Sequence, residues 1–210
     1  MFERSWHRCW SGLGAQGDGL PIMQSLLCAY AEPQRHYHTQ QHLSECLALF
    51  ERHGSLAEHP AEVEIALWFH DAVYDVKAGN NEARSAAWAR QALDQACASA
   101  ERVDRVEALI MATRHEVAPQ GQDQYLLIDI DLAILGAPRS RFDEYEAQVR
   151  REYGWVPAII YRRKRRDVLR GFAGRGHIYS TQALRDALEG SARENLAHSI
   201  KALGREVGLS

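Results

Sequence analysis

Cysteine is sparse in this chain: four in 210 residues, at Cys9, Cys28, Cys46 and Cys97, with no C-x-x-C pair. That pattern supports neither a disulfide framework nor a thiolate zinc scaffold, and the four read as reduced, mostly buried thiols. No run of about 18 apolar residues occurs, so no membrane-spanning helix is expected. The longest apolar stretches, residues 64–74 and 125–135, are both interrupted by ionisable side chains. Residues 1–19 lack the continuous apolar segment of an export signal, which makes the cytoplasm the expected compartment. Neither sign of charge dominates: 25 Lys and Arg against 28 Asp and Glu leave a formal charge of −3. A protein whose main role is to coat nucleic acid or an anionic membrane is therefore not expected, and neither partner is anticipated. Internal repeats, low-complexity linkers and sustained strand-like alternation are also missing.

What remains is an ordinary globular composition, with 46% hydrophobic and 25% charged residues. A chain of this length can bury roughly 70% of its unfolded surface without covalent staples. Apolar residues recur three and four apart, the period of an amphipathic helix. Helices are predicted over residues 20–30, 39–52, from Pro60 through His70, 81–100, 101–115, 124–135, 141–153, 157–172 and 181–203. Gly54, Gly136 and Pro138 serve as stops. The expected fold class is all-α, with a single domain over residues 20–210 and an N-terminal extension over residues 1–19.

Ten histidines stand out, several of them close to aspartates. His70 follows Val63, Ala66 and Leu67 on one helical face, and Asp71 comes next. A carboxylate in apolar company costs several kcal/mol if unpaired, so Asp71 needs a cationic or metallic partner. The run Tyr125-Leu-Leu-Ile-Asp129-Ile-Asp131-Leu-Ala-Ile-Leu135 carries two acids in otherwise apolar sequence. Helical phase puts Asp131 on the buried stripe with Leu127, Ile128 and Leu135, and Asp129 on its flank. His38 and His42 are four apart and can share a face. The combination is a His, then His-Asp 28 residues on, then an Asp 60 residues after that, each on a separate predicted helix. Imidazole with carboxylate suits a divalent ion such as Mn²⁺, Fe²⁺, Co²⁺, Ni²⁺, Zn²⁺ or Mg²⁺.

That order of residues resembles the signature of the HD superfamily of metal-dependent phosphohydrolases. More narrowly, His36-Tyr37-His38 with His42, Phe69-His70-Asp71-Ala72-Val73-Tyr74, Asn81-Glu82 with Ser85-Ala86, Ala112-Thr113 with His115, and Asp131-Leu-Ala-Ile-Leu-Gly136 resemble a bacterial family of predicted HD phosphohydrolases. The likeness continues in Arg151-Glu152-Tyr153 and in Ala192-Arg193 with Asn195-Leu196, covering about residues 20–203. It implies an HD-domain-like helical bundle with a metal site between helices. It also implies His42, His70, Asp71 and Asp131 as ligands of a divalent cation, the family's A-D-x-L pattern favouring Asp131 over Asp129.

The chemistry so implied is hydrolysis of a small phosphate ester, including nucleotides, by metal-activated water. Asp71 or Glu82 would take the proton from the attacking water, and His115 would contact phosphate or protonate the leaving oxygen. Arg35, His38 and Asp129 are candidates for substrate contacts or for orienting the ligands. Two other readings are consistent with the same residues: a non-catalytic metal- or nucleotide-binding HD module, and an HD-type di-iron oxygenase using His38 and His115. The basic run 162–166 surrounds a helix rather than forming one stripe, and reads as a solvated face. The five tryptophans read as packing residues.

Overall fold

A computed structural model describes residues 1–114 and 118–205. These form ten α-helices and two short 3-10 turns with no strand, as the apolar periodicity requires. None of the helices is long and apolar enough to cross a membrane. The chain divides into two compact units, Met1–Asp131 and a second beginning at Leu132. This boundary differs from the expected single domain from residue 20 with residues 1–19 outside it. Residues 1–19 carry no long apolar period, yet α1 (Phe2–Gly12) buries Ser5, Trp6, Cys9 and Trp10. Trp6 stacks on Trp10 with ring centroids 5.0 Å apart and meets Trp68 edge-on at 5.1 Å. Two indoles supply the area that a longer apolar stripe would otherwise give.

The first unit continues with α2 (Leu20–Ala29), α3 (Gln40–His53), a 3-10 turn (Gly54–Leu56), α4 (Pro60–Phe69), α5 (Asn81–Gln95), α6 (Ala100–Ala112) and α7 (Gly121–Asp131). Helix α4 is its axle, packed by α1, α3, α5, α6 and α7. Every residue from Glu62 to Phe69 is buried, so α4 has no solvent face. Its two acids are therefore paired. Glu62 accepts from Arg105 Nε at 2.6 Å and from its Nη2 at 2.7 Å, while Glu64 accepts from Arg8 Nε at 2.8 Å and Ser5 Oγ at 2.6 Å. Such pairing is what allows carboxylates inside a core.

The second unit comprises a 3-10 turn (Leu132–Gly136), α8 (Arg139–Glu152), α9 (Ala158–Ala173) and α10 (Gln182–Arg205). A Cβ at Gly136 would lie 2.7 Å from Leu188 Cβ and 2.8 Å from its carbonyl oxygen, so only glycine lets α10 approach there. Asn195 Nδ2 donates to the carbonyls of Leu135 and Ala137, each at 2.9 Å, and Tyr179 Oη donates to Leu132 O at 3.1 Å. The basic run is shared out along α9. Arg162 donates to the α10 carbonyls of Ala202 and Leu203, Arg165 pairs with Glu146 at 3.0 Å, and Arg163 and Lys164 face solvent. All four cysteines are free, but only Cys9 and Cys46 are buried; Cys28 and Cys97 are exposed, so half of the thiols depart from the buried expectation.

Candidate metal centre

The site residues of the first unit sit at helix ends. Thr39 caps α3, its hydroxyl accepting from Gln41 N at 3.3 Å, and this start places His42 in the first turn. His70 is the C-cap of α4, and Asp71 follows where the chain leaves the helix. Asp131 is the last residue of α7, before the path tightens to 3-10. The C-terminal ends of α4 and α7 both contribute negative dipole potential, which favours a cation between them.

Four side chains meet here. His42 Nε2 lies 3.1 Å from His70 Nε2, 3.4 Å from Asp71 Oδ2 and 3.4 Å from Asp131 Oδ1. His70 Nε2 lies 3.1 Å from Asp71 Oδ2 and 3.5 Å from Asp131 Oδ1. The two imidazoles are buried, while the Asp71 and Asp131 side chains keep 20% and 16% of their exposure. His70 Nδ1 stands 2.8 Å from Leu67 O, a contact that requires Nδ1 to carry the proton. Its Nε2 lone pair then faces His42 Nε2 and two carboxylate oxygens. Nothing in that quartet except a proton or a cation reconciles these lone pairs. Ligands about 2.0–2.2 Å from one ion stand about 3.0–3.5 Å apart in octahedral or tetrahedral arrangement. The observed spacings lie in that range, so the donor set fits a divalent metal. The residues form one of the chain's groups that could hold an ion.

The electrostatics run the same way. Burial opposes charge on His42, but Cys46, Tyr37, Asp131 and Asp71 hold its pKa well above the usual imidazole value. His70 is likewise pushed up against its burial, by Asp71, Tyr30 and Asp131. Burial would raise Asp71, yet His70, His38 and His42 hold it well below the usual carboxylate range. The pocket is a strong attractor of positive charge.

Arg35 is built into the support of the site. Its guanidinium is buried and donates to Asp71 O at 2.6 Å, Ala72 O at 2.9 Å, His38 O at 3.3 Å and Glu32 Oε2 at 3.0 Å. It also lies over the rings of Tyr30 and Tyr74. With these donors occupied, Arg35 holds the His70–Asp71 segment rather than reaching for phosphate. Tyr30 Oη accepts from Asp71 N at 3.3 Å, and burial pushes the Tyr30 phenol up to about 12. His38 stacks on Tyr74 at 4.0 Å and meets His42 edge-on at 5.9 Å, beside the quartet but outside it.

Helical phase is corrected at α7. Asp129 is fully buried and Asp131 half-buried, the reverse of the expected stripe and flank. The reason is that α7 is buried from Leu126 to Ile130, so no single apolar face exists to set a phase. The quartet nonetheless takes Asp131, not Asp129. Glu82 sits half-buried in the first turn of α5, outside the quartet, and makes no hydrogen bond or ion pair with a described residue. His115 lies outside the described residues. Sequence reasoning places Cys46 only on the buried stripe of α3, but its Sγ lies 3.7 Å from His42 Nδ1, and with His42 and His70 it makes a second, wholly buried donor group. Its spacing of four from His42 was the available signal. No family model, curated protein or solved structure matches the chain.

Proposed function

We propose that the chain is a metal-dependent phosphohydrolase of the HD type, cleaving a small phosphate ester or nucleotide. The observation that carries this reading is the convergence of His42, His70, Asp71 and Asp131 from three helices with donor spacings of 3.1–3.5 Å. A divalent cation in that set supplies Lewis acidity, making water nucleophilic near neutral pH and offsetting charge at phosphorus. His42, His70, Asp71 and Asp131 hold the ion; the partial exposure of the two carboxylates leaves that side open to substrate and water. Asp71, held ionised by its histidine neighbours, is occupied as a ligand. Glu82, whose carboxylate has no hydrogen-bond or ion-pair partner among the described residues, is the better acceptor for the proton of the attacking water. Arg35 and Tyr30 fix the backbone of Asp71, and His38 is positioned to meet the substrate from beside His42.

The His42–Cys46–His70 group favours a second reading, a closed non-catalytic metal site, because thiolate with imidazole suits Zn²⁺ and all three residues are buried. Metal analysis of wild-type, Asp71→Ala and Cys46→Ala proteins, prepared without chelators, separates the two. The hydrolase reading expects about one metal per chain, lost in Asp71→Ala and kept in Cys46→Ala. The closed site expects the opposite. Turnover of phosphate esters and nucleotides with the metal so found then tests the chemistry, with Glu82→Gln keeping metal and losing turnover. A wild-type protein that binds metal but hydrolyses none of them would refute the enzyme.

A further inference from the structure

The second unit carries a feature that its packing does not explain. From the end of α8 into the first turn of α9 the chain runs Gly154-Trp155-Val156-Pro157-Ala158-Ile159-Ile160, seven residues without a charge. Trp155 is 57% exposed, Ile159 67% and Ile160 51%, the three most exposed large hydrophobic residues among those described. On either side stand exposed cations, Arg151 before and Arg163, Lys164 and Arg170 after. None of these four pairs with an acid among the described residues. Asp167 is the one exposed acid on the same stretch, leaving the exposed charges of that stretch net positive on a chain of net charge −3.

The tip is also held in shape. Arg150 donates to Tyr153 O at 2.6 Å and to Val156 O at 3.1 Å, and lies 4.7 Å over the Tyr161 ring. Its donors thus satisfy carbonyls on both sides of Trp155, and Val156 N donates to Tyr153 O at 2.9 Å. Satisfied backbone lowers the cost of bringing such a loop into an apolar medium.

From these observations we propose that the Trp155–Ile160 tip docks the protein on the surface of a bilayer rich in anionic phospholipid. Tryptophan and isoleucine enter the headgroup–acyl boundary, and the flanking cations meet lipid phosphates. The lack of a spanning helix does not bear on contact of this kind. Two other occupants fit less well. In a symmetric contact between copies, Arg163 and Lys164 would face like charges, which is unfavourable. Nucleic acid would use the cations but gain nothing from exposed Ile159 and Ile160.

The test is sedimentation of the full chain with vesicles of phosphatidylcholine, alone or with roughly 30% phosphatidylglycerol. Binding is expected only with the anionic lipid, reversed by about 0.5 M salt. Removing a cation by Arg163→Gln or Lys164→Gln should weaken partition about fivefold each. Ile159→Asp should abolish it with an unchanged helical circular dichroism spectrum, since the side chain packs against solvent. Tryptophan emission should shift to the blue on binding in wild type but not in Trp155→Phe, because Trp6, Trp10 and Trp68 are buried and the half-buried Trp88 on α5 packs edge-on against Phe69. Absence of binding to either vesicle, or equal binding to both, would overturn the proposal. So would self-association in analytical ultracentrifugation that Ile159→Asp abolishes, or RNA binding without vesicle binding.

Discussion

Replacing Arg35 should damage the candidate metal centre while leaving all four of its candidate ligands in place. The buried guanidinium joins His38 O, Asp71 O and Ala72 O, which belong to the two segments that carry the histidines and Asp71. Arg35→Ala strands three carbonyls and opens a void between Tyr30 and Tyr74. Breaking a buried charged network of this kind costs about 3–5 kcal/mol. Against a domain stability of about 5–15 kcal/mol, a folded variant is expected. Loss of a group that orients ligands typically weakens metal binding about 10–100-fold. Arg35→Lys restores the charge but not the fork, so it should recover part of the stability and less of the affinity. Urea unfolding in chelator separates the stability from the metal, and calorimetric titration of the chelated protein with Mn²⁺ or Zn²⁺ reads the affinity. A stability loss below about 1 kcal/mol, with affinity within about twofold of wild type, would refute the support role.

At α7, Asp131→Asn should abolish metal binding while Asp129→Asn keeps it; inductively coupled plasma analysis of both decides which carboxylate is the ligand. Gly136→Ala should destabilise the protein by about 1–3 kcal/mol, because its Cβ would press on Leu188 backbone, and a thermal melt reads this directly. Metal binding should weaken as pH falls. His42 and His70 are held above the usual imidazole value, so protons compete for the site as pH falls through those raised values, and two displaced protons give up to about a 100-fold loss per pH unit. Titrations of metal at several pH values would expose a pH-independent affinity, which would show that the imidazoles are not ligands.

Much of this architecture could be read before any coordinates, and the misses have physical causes. The helix over 39–52 is found at Gln40–His53 because Thr39 is a side-chain cap and the Leu43, Cys46, Leu47 stripe is buried. The helix over 81–100 stops earlier, at Gln95, since alanine-rich sequence has no marked end until a turn is imposed, and that over 101–115 ends at Ala112. Helix α1 was missed because two tryptophans do the work of a stripe. On α4 and α7, amphipathic phase carries no information, as both are buried around their circumference, and Asp129 was misplaced for that reason. The four candidate ligands were legible because ionisable residues in apolar runs violate a strong rule. Arg35 was not separable from a surface arginine, since apart from Glu32 three residues away its partners are backbone carbonyls, which every residue has.

The placement of the ligands explains why those violations are tolerable. His70 and Asp71 leave α4, and Asp131 closes α7, so each stands where a helix runs out of intrahelical acceptors and its backbone carbonyls turn outward. Mid-helix, the same carboxylates would be enclosed by neighbours on all sides, as Asp129 is. At the ends they retain an exposed edge, which lowers the cost of charge. A core position supplies rigidity and an end supplies access, and the quartet combines two buried imidazoles with two half-exposed carboxylates. Without a cation, His42 and His70 must carry protons to balance Asp71 and Asp131, which is why their pKa values rise and that of Asp71 falls. A metal ion held by the quartet would remove the conflict by replacing those protons. A protein in which Asp71→Asn and Asp131→Asn together raised stability in chelator would show that the quartet is strained in the absence of metal, and that its carboxylates are retained for binding rather than for folding.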